Sequence, residues 1–304
     1  MDHKFEPSVN TTILRFCLLG CLLAGNISFQ LKAQRSLSLV LNQSYLNGFN
    51  LSETAIREEI SQGVRTTQSD AFNFGNGIEW GFQLASFPDS FGLFWTTGLG
   101  YFNGSTQDKY ALFDKDLSLS QFRYIDPIQF FIQLGLGYTG NLIGKLNWST
   151  AISLNLPVIS QLNERAIYNT GLNSFERIDT RFKTTFSPGF VSKTGLSYAL
   201  APQIVFSLSG VICFQNMAEK SSKIIAFKDQ NNQSLQTRFP TISERESKYY
   251  KDISAIQNNP NLFPNEFDSN KPIDNLSKNM SFSRIGFEFS IAYQISRKKT
   301  KDQL

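Results

Sequence analysis

The feature that most constrains this chain is strict alternation of apolar and polar residues over segments of ten or more. In the last such segment, Ile285, Phe287, Phe289, Ile291, Tyr293 and Ile295 share one face, and Arg284, Gly286, Glu288, Ser290, Ala292 and Gln294 share the other. The same pattern runs through 128–138 and 146–156 and near 36–46, 72–86, 91–102, 190–200 and 203–214, weakest in 36–46 and 190–200 and interrupted by Gly210 in 203–214. A period of two belongs to a β-strand and not to a helix. Eight candidate strands follow, with no helix-period stretch inside them.

The connections alternate as well. Three are short, at 87–90, 139–144 and 201–203, with Pro-Asp-Ser and Ala-Pro-Gln turn chemistry. Four are long, at 51–71, 103–126, 159–188 and 215–281. An up-and-down meander puts all the long connections at one end and all the turns at the other. Short turns opposite long surface loops is the pattern of a transmembrane β-barrel. The expected fold is therefore all-β: an eight-stranded antiparallel up-and-down transmembrane barrel with long extracellular loops.

Volume decides which face points in. The apolar set includes Phe72, Phe74, Trp80, Phe82, Phe91, Trp95, Phe130, Trp148, Phe206, Phe287 and Phe289. An eight-stranded barrel has an interior only just wide enough for ordinary side chains. The opposite face is rich in glycine, including Gly81, Gly98, Gly100, Gly135, Gly137, Gly195 and Gly286. The apolar set is thus expected to face lipid. Trp95, Tyr138, Trp148, Tyr198 and Tyr293 fall near the turn ends, and Tyr45, Tyr101, Phe72, Phe190, Phe214 and Phe282 near the loop ends. Two such girdles mark the two membrane interfaces. The alternative is a secreted soluble carrier of lipocalin type, with its apolar face inward.

At the N-terminus, Lys4 and Arg15 precede an apolar run from Phe16 to Gly25, broken only by small residues, and a polar stretch follows that ends in Leu31-Lys32-Ala33-Gln34. This is the secretory pattern. It predicts a signal peptide over 1–33, with cleavage after Gln34 close behind, and a barrel domain over 34–304. Leu18-Leu19-Gly20-Cys21 also resembles a lipoprotein box, which leaves lipidation at Cys21 open. No apolar run reaches 18 residues, so no spanning helix is expected.

Cleavage removes His3, Cys17 and Cys21 and leaves Cys213 as the one thiol and no His. Any His-dependent triad and any His-ligated metal are then excluded. The carboxylate pairs Glu58/Glu59, Asp114/Asp116 and Glu244/Glu246 all lie in polar loops and read as solvated charge. Asp114-Lys115-Asp116 and Asp268-Ser269-Asn270 offer too few oxygens for calcium. A net charge of +4 is too mild for a nucleic-acid partner. No catalytic residue, cofactor or metal is expected, and no ligand is named by the sequence.

Four charges fall on the inward face: Glu79, Lys193, Arg284 and Glu288. In a narrow lumen they are expected to pair as a structural cluster, with Gln83, Gln133 and Gln294 satisfying leftover donors and acceptors. Such a cluster would plug the barrel. The connection 215–281 is the expected functional element. Ser243 would cap a helix running through Tyr249, Tyr250, Ile253 and Ile256, ended by Asn258-Asn259-Pro260. That helix would either cover the barrel mouth or dock a partner protein. Residues 297–304 form a basic tail.

The Ala-Gln signal end, the eight alternating strands and the terminal Phe289-Ser290-Ile291-Ala292-Tyr293-Gln294-Ile295 resemble the small outer-membrane β-barrel proteins of Bacteroidota, of the porin-family or PorT-like type. The resemblance covers the chain after residue 33 and is one of pattern. It implies an outer-membrane location, a lipid surround and, for PorT-like members, a role in secretion or envelope machinery. The expected function is a non-enzymatic structural or interaction barrel, alone or within an outer-membrane assembly. A small porin or ligand-binding channel is the alternative.

Overall fold

The computed structural model describes residues 37–49, 53–170, 174–231 and 233–295. The signal-peptide and lipoprotein-box readings and the basic tail lie outside these residues. In chain order the strands are β1 (Leu37–Gly48), β2 (Glu53–Ser61), β3 (Val64–Phe72), β4 (Gly77–Ser86), β5 (Leu93–Gly104), β6 (Gln107–Asp114), β7 (Leu119–Ile143) and β8 (Leu146–Thr170). There follow β9 (Phe175–Thr184), β10 (Gly189–Ala201), β11 (Ile204–Phe214), β12 (Asn216–Asp229), β13 (Glu246–Tyr250), β14 (Ile273–Leu276), β15 (Asn279–Ser281) and β16 (Arg284–Ile295).

Eight of these strands form a closed ring of antiparallel pairs, in the order β1, β4, β5, β7, β8, β10, β11, β16 and back to β1. They are the eight that alternation marks. The ring closes with a stagger. From Glu288, paired residues lead through Ser44, Glu79, Phe102 and Gln129 to Ser160 on β8. The other way round they lead through Ser209 and Gly195 to Ser149 on the same strand. Such an offset is what tilted strands need in order to close a sheet on itself.

The facing follows from burial. Ser44, Asn42, Gln83, Gln133, Asn155 and Ser153 are buried, while Leu41, Trp80, Phe82, Leu136, Ile152 and Phe287 are exposed. The polar side is inside and the apolar side is outside, the reverse of a soluble barrel. At the turn end, β7 and β8 are joined through Gly144, whose φ of +58° is a left-handed conformation that glycine adopts without strain. The β4–β5 connection is held by Asp89, whose carboxylate accepts from the N–H groups of Phe91 and Leu93.

The four long connections are mostly not loops. β7 and β8 run on for 25 residues each, roughly 80 Å at 3.3 Å per residue. Beyond the ring they carry an open sheet, ordered β14-β13-β12-β9-β8-β7-β6-β2-β3. In this extension β2 pairs with β6, and β13 with β14, in parallel, so the expectation of an antiparallel fold holds for the ring alone. These strands escaped the sequence reading because they lack an apolar face. β3, for instance, is exposed along its length except at Phe72. Pairing needs only backbone groups, so a polar segment joins a sheet without announcing itself.

Two further expectations are corrected. The strand predicted over 72–86 begins at Gly77. Ahead of it the Asn73 side chain donates to the carbonyls of Phe49 and Ser283 and accepts from the Gly75 N–H, turning a tight corner. That corner swings Phe72 and Phe74 inward, where they pack with Ile125, Leu162, Met217, Met280 and Phe282. Phe72, Phe74 and Phe282 are therefore core residues of the ring mouth and not lipid-facing girdle. The predicted helix from Ser243 is a single turn, Ile242–Arg245, with Thr241 and not Ser243 as its cap. The Thr241 side chain accepts from the Glu244 N–H while Glu244 returns a bond to the Thr241 N–H, a capping box. Extended chain and a short 3₁₀ turn at Ile253–Ala255 replace the rest.

Candidate functional site

Among the described residues, the interior of the ring brings together chemistry-bearing side chains from many strands. Towards the turn end, Gln83 donates to Gln133, and Gln133 donates to Asn155 at 3.0 Å. This chain of amides links β4, β7 and β8. Nearer the extended end sit the four charges. Lys193 Nζ lies 2.6 Å from Glu288 Oε2. The same oxygen accepts from Asn42 Nδ2 at 2.6 Å and from Ser44 Oγ at 3.2 Å. Arg284 Nη2 donates to Glu79 Oε2 at 2.8 Å, and its Nη1 donates to the Phe282 carbonyl at 3.2 Å. The four residues form two ion pairs, Lys193–Glu288 and Arg284–Glu79, each drawing on two strands.

Burying these charges is costly unless each finds a partner and supporting hydrogen bonds. Glu288 has three donors. Arg284 adds a ring contact: its Cζ lies 4.7 Å from the centroid of Phe102, a cation–π geometry. An apolar layer of Leu46, Phe102, Phe131, Val191, Val211 and Cys213 fills the space beside the pairs. Gly100 makes room for Phe131, since a Cβ there would come within 2.2 Å of the ring. Cys213 is a buried space-filler in this layer, as its apolar surroundings in the sequence suggest.

A second seal lies at the mouth. Met217 is buried among the residues around Phe74 and Phe282, and its sulfur accepts from the Ser160 hydroxyl at 3.0 Å. Phe74 and Phe282 stack at 5.5 Å between centroids. Above it, the extension brings together groups that no sequence spacing marks: Glu53, Lys109, Glu164, Glu219 and Lys278, from four strands and the segment before β15. Lys109 pairs with Glu164 at 2.7 Å and lies 5.7 Å from the Phe182 ring centroid. Burial pushes the Glu53 and Glu219 carboxyls above their ordinary value, with Lys278 and Lys109 pulling the other way. Burial also raises the Tyr249 phenol. This charged vestibule was not legible in the sequence.

The carboxylate pairs flagged in the sequence do not act as pairs. Glu58 accepts from Arg65 at 2.6 Å and from Tyr110 at 2.9 Å, and these bonds hold its carboxyl below the usual range. Glu59 bridges to Lys115 at 2.5 Å. Asp114 and Asp116 bind turn N–H groups, and Glu244 belongs to the capping box. Among the described residues no group of three His, Cys, Asp or Glu side chains gathers as a metal site.

No protein-family model matches the chain, and no curated protein matches its sequence. Solved structures similar to it include Neisserial surface protein A, at 11% identity and a TM-score of 0.32, covering 86% of this chain and 97% of that one. Another is a TodX monoaromatic hydrocarbon channel mutant lacking S2 and S3, at 8% identity and a TM-score of 0.22, covering 89% of this chain and 92% of that one.

Proposed function

We propose that this chain is a non-enzymatic outer-membrane protein, an eight-stranded transmembrane barrel with a closed lumen. Its role is to hold the long β-extension at the cell surface for interaction, alone or within an envelope or secretion assembly. The observation that carries this reading is the inverted burial of the ring. Charged and amide side chains are buried inside while a continuous apolar face is exposed outside, as lipid requires and water does not. The outward apolar face on β8 runs from Trp148 to Val158, about 33 Å along the strand and about 25 Å along the membrane normal at a strand tilt near 40°. The two ion pairs, the apolar layer beside them and the stacked rings at the mouth favour a plugged lumen over the porin alternative. The PorT-like assignment rests on the strand pattern alone.

Reconstitution tests the reading in two steps. The refolded protein is expected to float with phospholipid vesicles; recovery in the aqueous phase would favour a soluble carrier. Inserted in a planar bilayer it is expected to give no stable ohmic conductance. A steady channel in the unmodified protein would overturn the plugged reading and promote the porin.

A further inference from the structure

We propose that the outer face of β8 and β9, just beyond the apolar face, binds the phosphorylated sugar headgroup of a glycolipid in the surrounding leaflet. The proposal rests on the reading that the ring crosses the membrane. Pairing fixes the arrangement. On β7 the outward apolar series ends at Ile128, and on β8 at Val158 and Ile159 after a bulge. The next outward residues are Gln161 and Lys183, paired across β8 and β9. Then come Asp126, Asn163 and Arg181 in one cross-strand row, and Arg165 with Asp179 in the following one.

The Arg181 row lies two residues beyond Ile128, about 7 Å along the strand. That distance corresponds to the headgroup layer, which adds about 5–7 Å on each side of the hydrocarbon core. Elsewhere the outward positions at the same end of the ring are uncharged: Tyr45 on β1, Phe190 on β10, Phe214 on β11 and Ile285 on β16. Charge is thus gathered on one side, directly above the lipid-facing band, with Arg165, Arg177, Arg181 and Lys183 outnumbering Asp126 and Asp179.

The patch is also shaped. A recess of about 420 Å³ has Asp126, Asn163, Glu164, Arg165, Arg177, Asp179 and Arg181 in its lining. Asp179 holds Arg177 through two bonds, at 2.9 and 2.7 Å, and contacts Arg165 at 3.4 Å, so the guanidinium groups are oriented before any ligand arrives. Arg181 and Lys183 are exposed. Asp126 Oδ1 and Asn163 Oδ1 are buried acceptors with no hydrogen-bond partner. A phosphate matches the guanidinium forks. Sugar hydroxyls supply the donors that two orphaned acceptors call for, and acyl chains continue down the apolar face. A free anion meets only the first of these demands.

The test uses the full refolded protein in phosphatidylcholine vesicles with or without lipid A. Protein is extracted in mild detergent, and bound lipid is counted by native mass spectrometry. Arg181→Gln/Lys183→Gln removes two exposed charges without stripping the partners of half-buried Asp179, and Lys115→Gln at the far hairpin tip is the control. Lipid A retained by the double variant is expected to fall at least about tenfold, with the control unchanged. Equal retention by the double variant, in protein that floats with vesicles, overturns this proposal and leaves the barrel standing. Failure of the unmodified protein to float overturns both. Phosphatidic acid, with a phosphate and no sugar, is expected to be retained less; equal retention overturns the sugar contribution. A rise in unfolding temperature from inorganic phosphate alone that equals the rise from lipid A overturns the headgroup in favour of a free anion.

Discussion

Arg284 and Glu79 face each other across the ring interior at 2.8 Å, and Arg284 has no exposed surface. They belong to β16 and β4, which never pair; β1 lies between them. The contact exists because a tilted ring brings the second neighbours of a strand within reach of a long side chain. It joins the last of the described strands to the first half of the ring, so it reports on closure.

Removing one partner of this pair should be far worse than removing both. Glu79→Ala leaves a fully buried guanidinium unpaired and is expected to cost about 3–5 kcal/mol. Glu79→Leu/Arg284→Met replaces the pair with apolar volume and is expected to cost much less. Urea unfolding of the detergent-refolded protein checks the order; a double variant as unstable as Glu79→Ala would mean that the pairing is not what matters.

Charge on the outer face should be penalised by depth. Leu134 and Phe289 are exposed at mid-strand, and Leu134→Arg or Phe289→Arg should each cost about 2–4 kcal/mol if near the bilayer midplane. Ser153→Ala, on the buried inner face, should cost less. Unfolding in lipid vesicles measures all three. Similar costs on both faces would reverse the assigned facing.

The vestibule should make stability depend on pH. The folded-state carboxyl of Glu219 titrates above its ordinary value of 4.5, because burial disfavours its charge. Its stabilising contribution is therefore full below pH 4.5 and is lost as pH rises through the raised value. Glu219→Gln keeps the shape and cannot ionise. It should be the more stable protein at neutral pH, with a flatter melting temperature above pH 4.5. A variant less stable than the parent at neutral pH would show that Lys278 and Lys109 outweigh burial.

Surface proteolysis should follow secondary structure and not charge. Lys220, Lys223 and Lys228 lie in β12, which is flanked by β9 and β13, so trypsin should spare them. Lys251 sits in a bend after β13 and is exposed. The segment beyond it is organised by Asn258, whose Nδ2 donates to the carbonyls of Asp268 and Pro272, and by Asp274, which accepts from the Gln257 and Asn258 N–H groups. On intact cells the first cut is expected at Lys251. Asn258→Ala should speed cutting at Lys251 several-fold; first cleavage in β12 would contradict the sheet of the extension.

The sequence alone determined the ring. Alternation is local, so each ring strand and its two faces could be read from the residues themselves. Volume then set the facing, because bulky aromatics cannot share a narrow interior. The inward positions of Glu79, Lys193, Arg284 and Glu288 followed from that periodicity. Only the tertiary structure decided which charges meet. The stagger of the closed ring is a global quantity, and it brings Lys193 to Glu288 and Arg284 to Glu79 although nothing in their spacing says so. The extension was hidden for a related reason. β3, β6, β9 and the upper halves of β7 and β8 are held by backbone bonds to distant segments, and they carry too little apolar patterning to mark a face. The vestibule of Glu53, Lys109, Glu164, Glu219 and Lys278 exists only once those strands have paired, since its members are far apart in the chain and converge through the sheet.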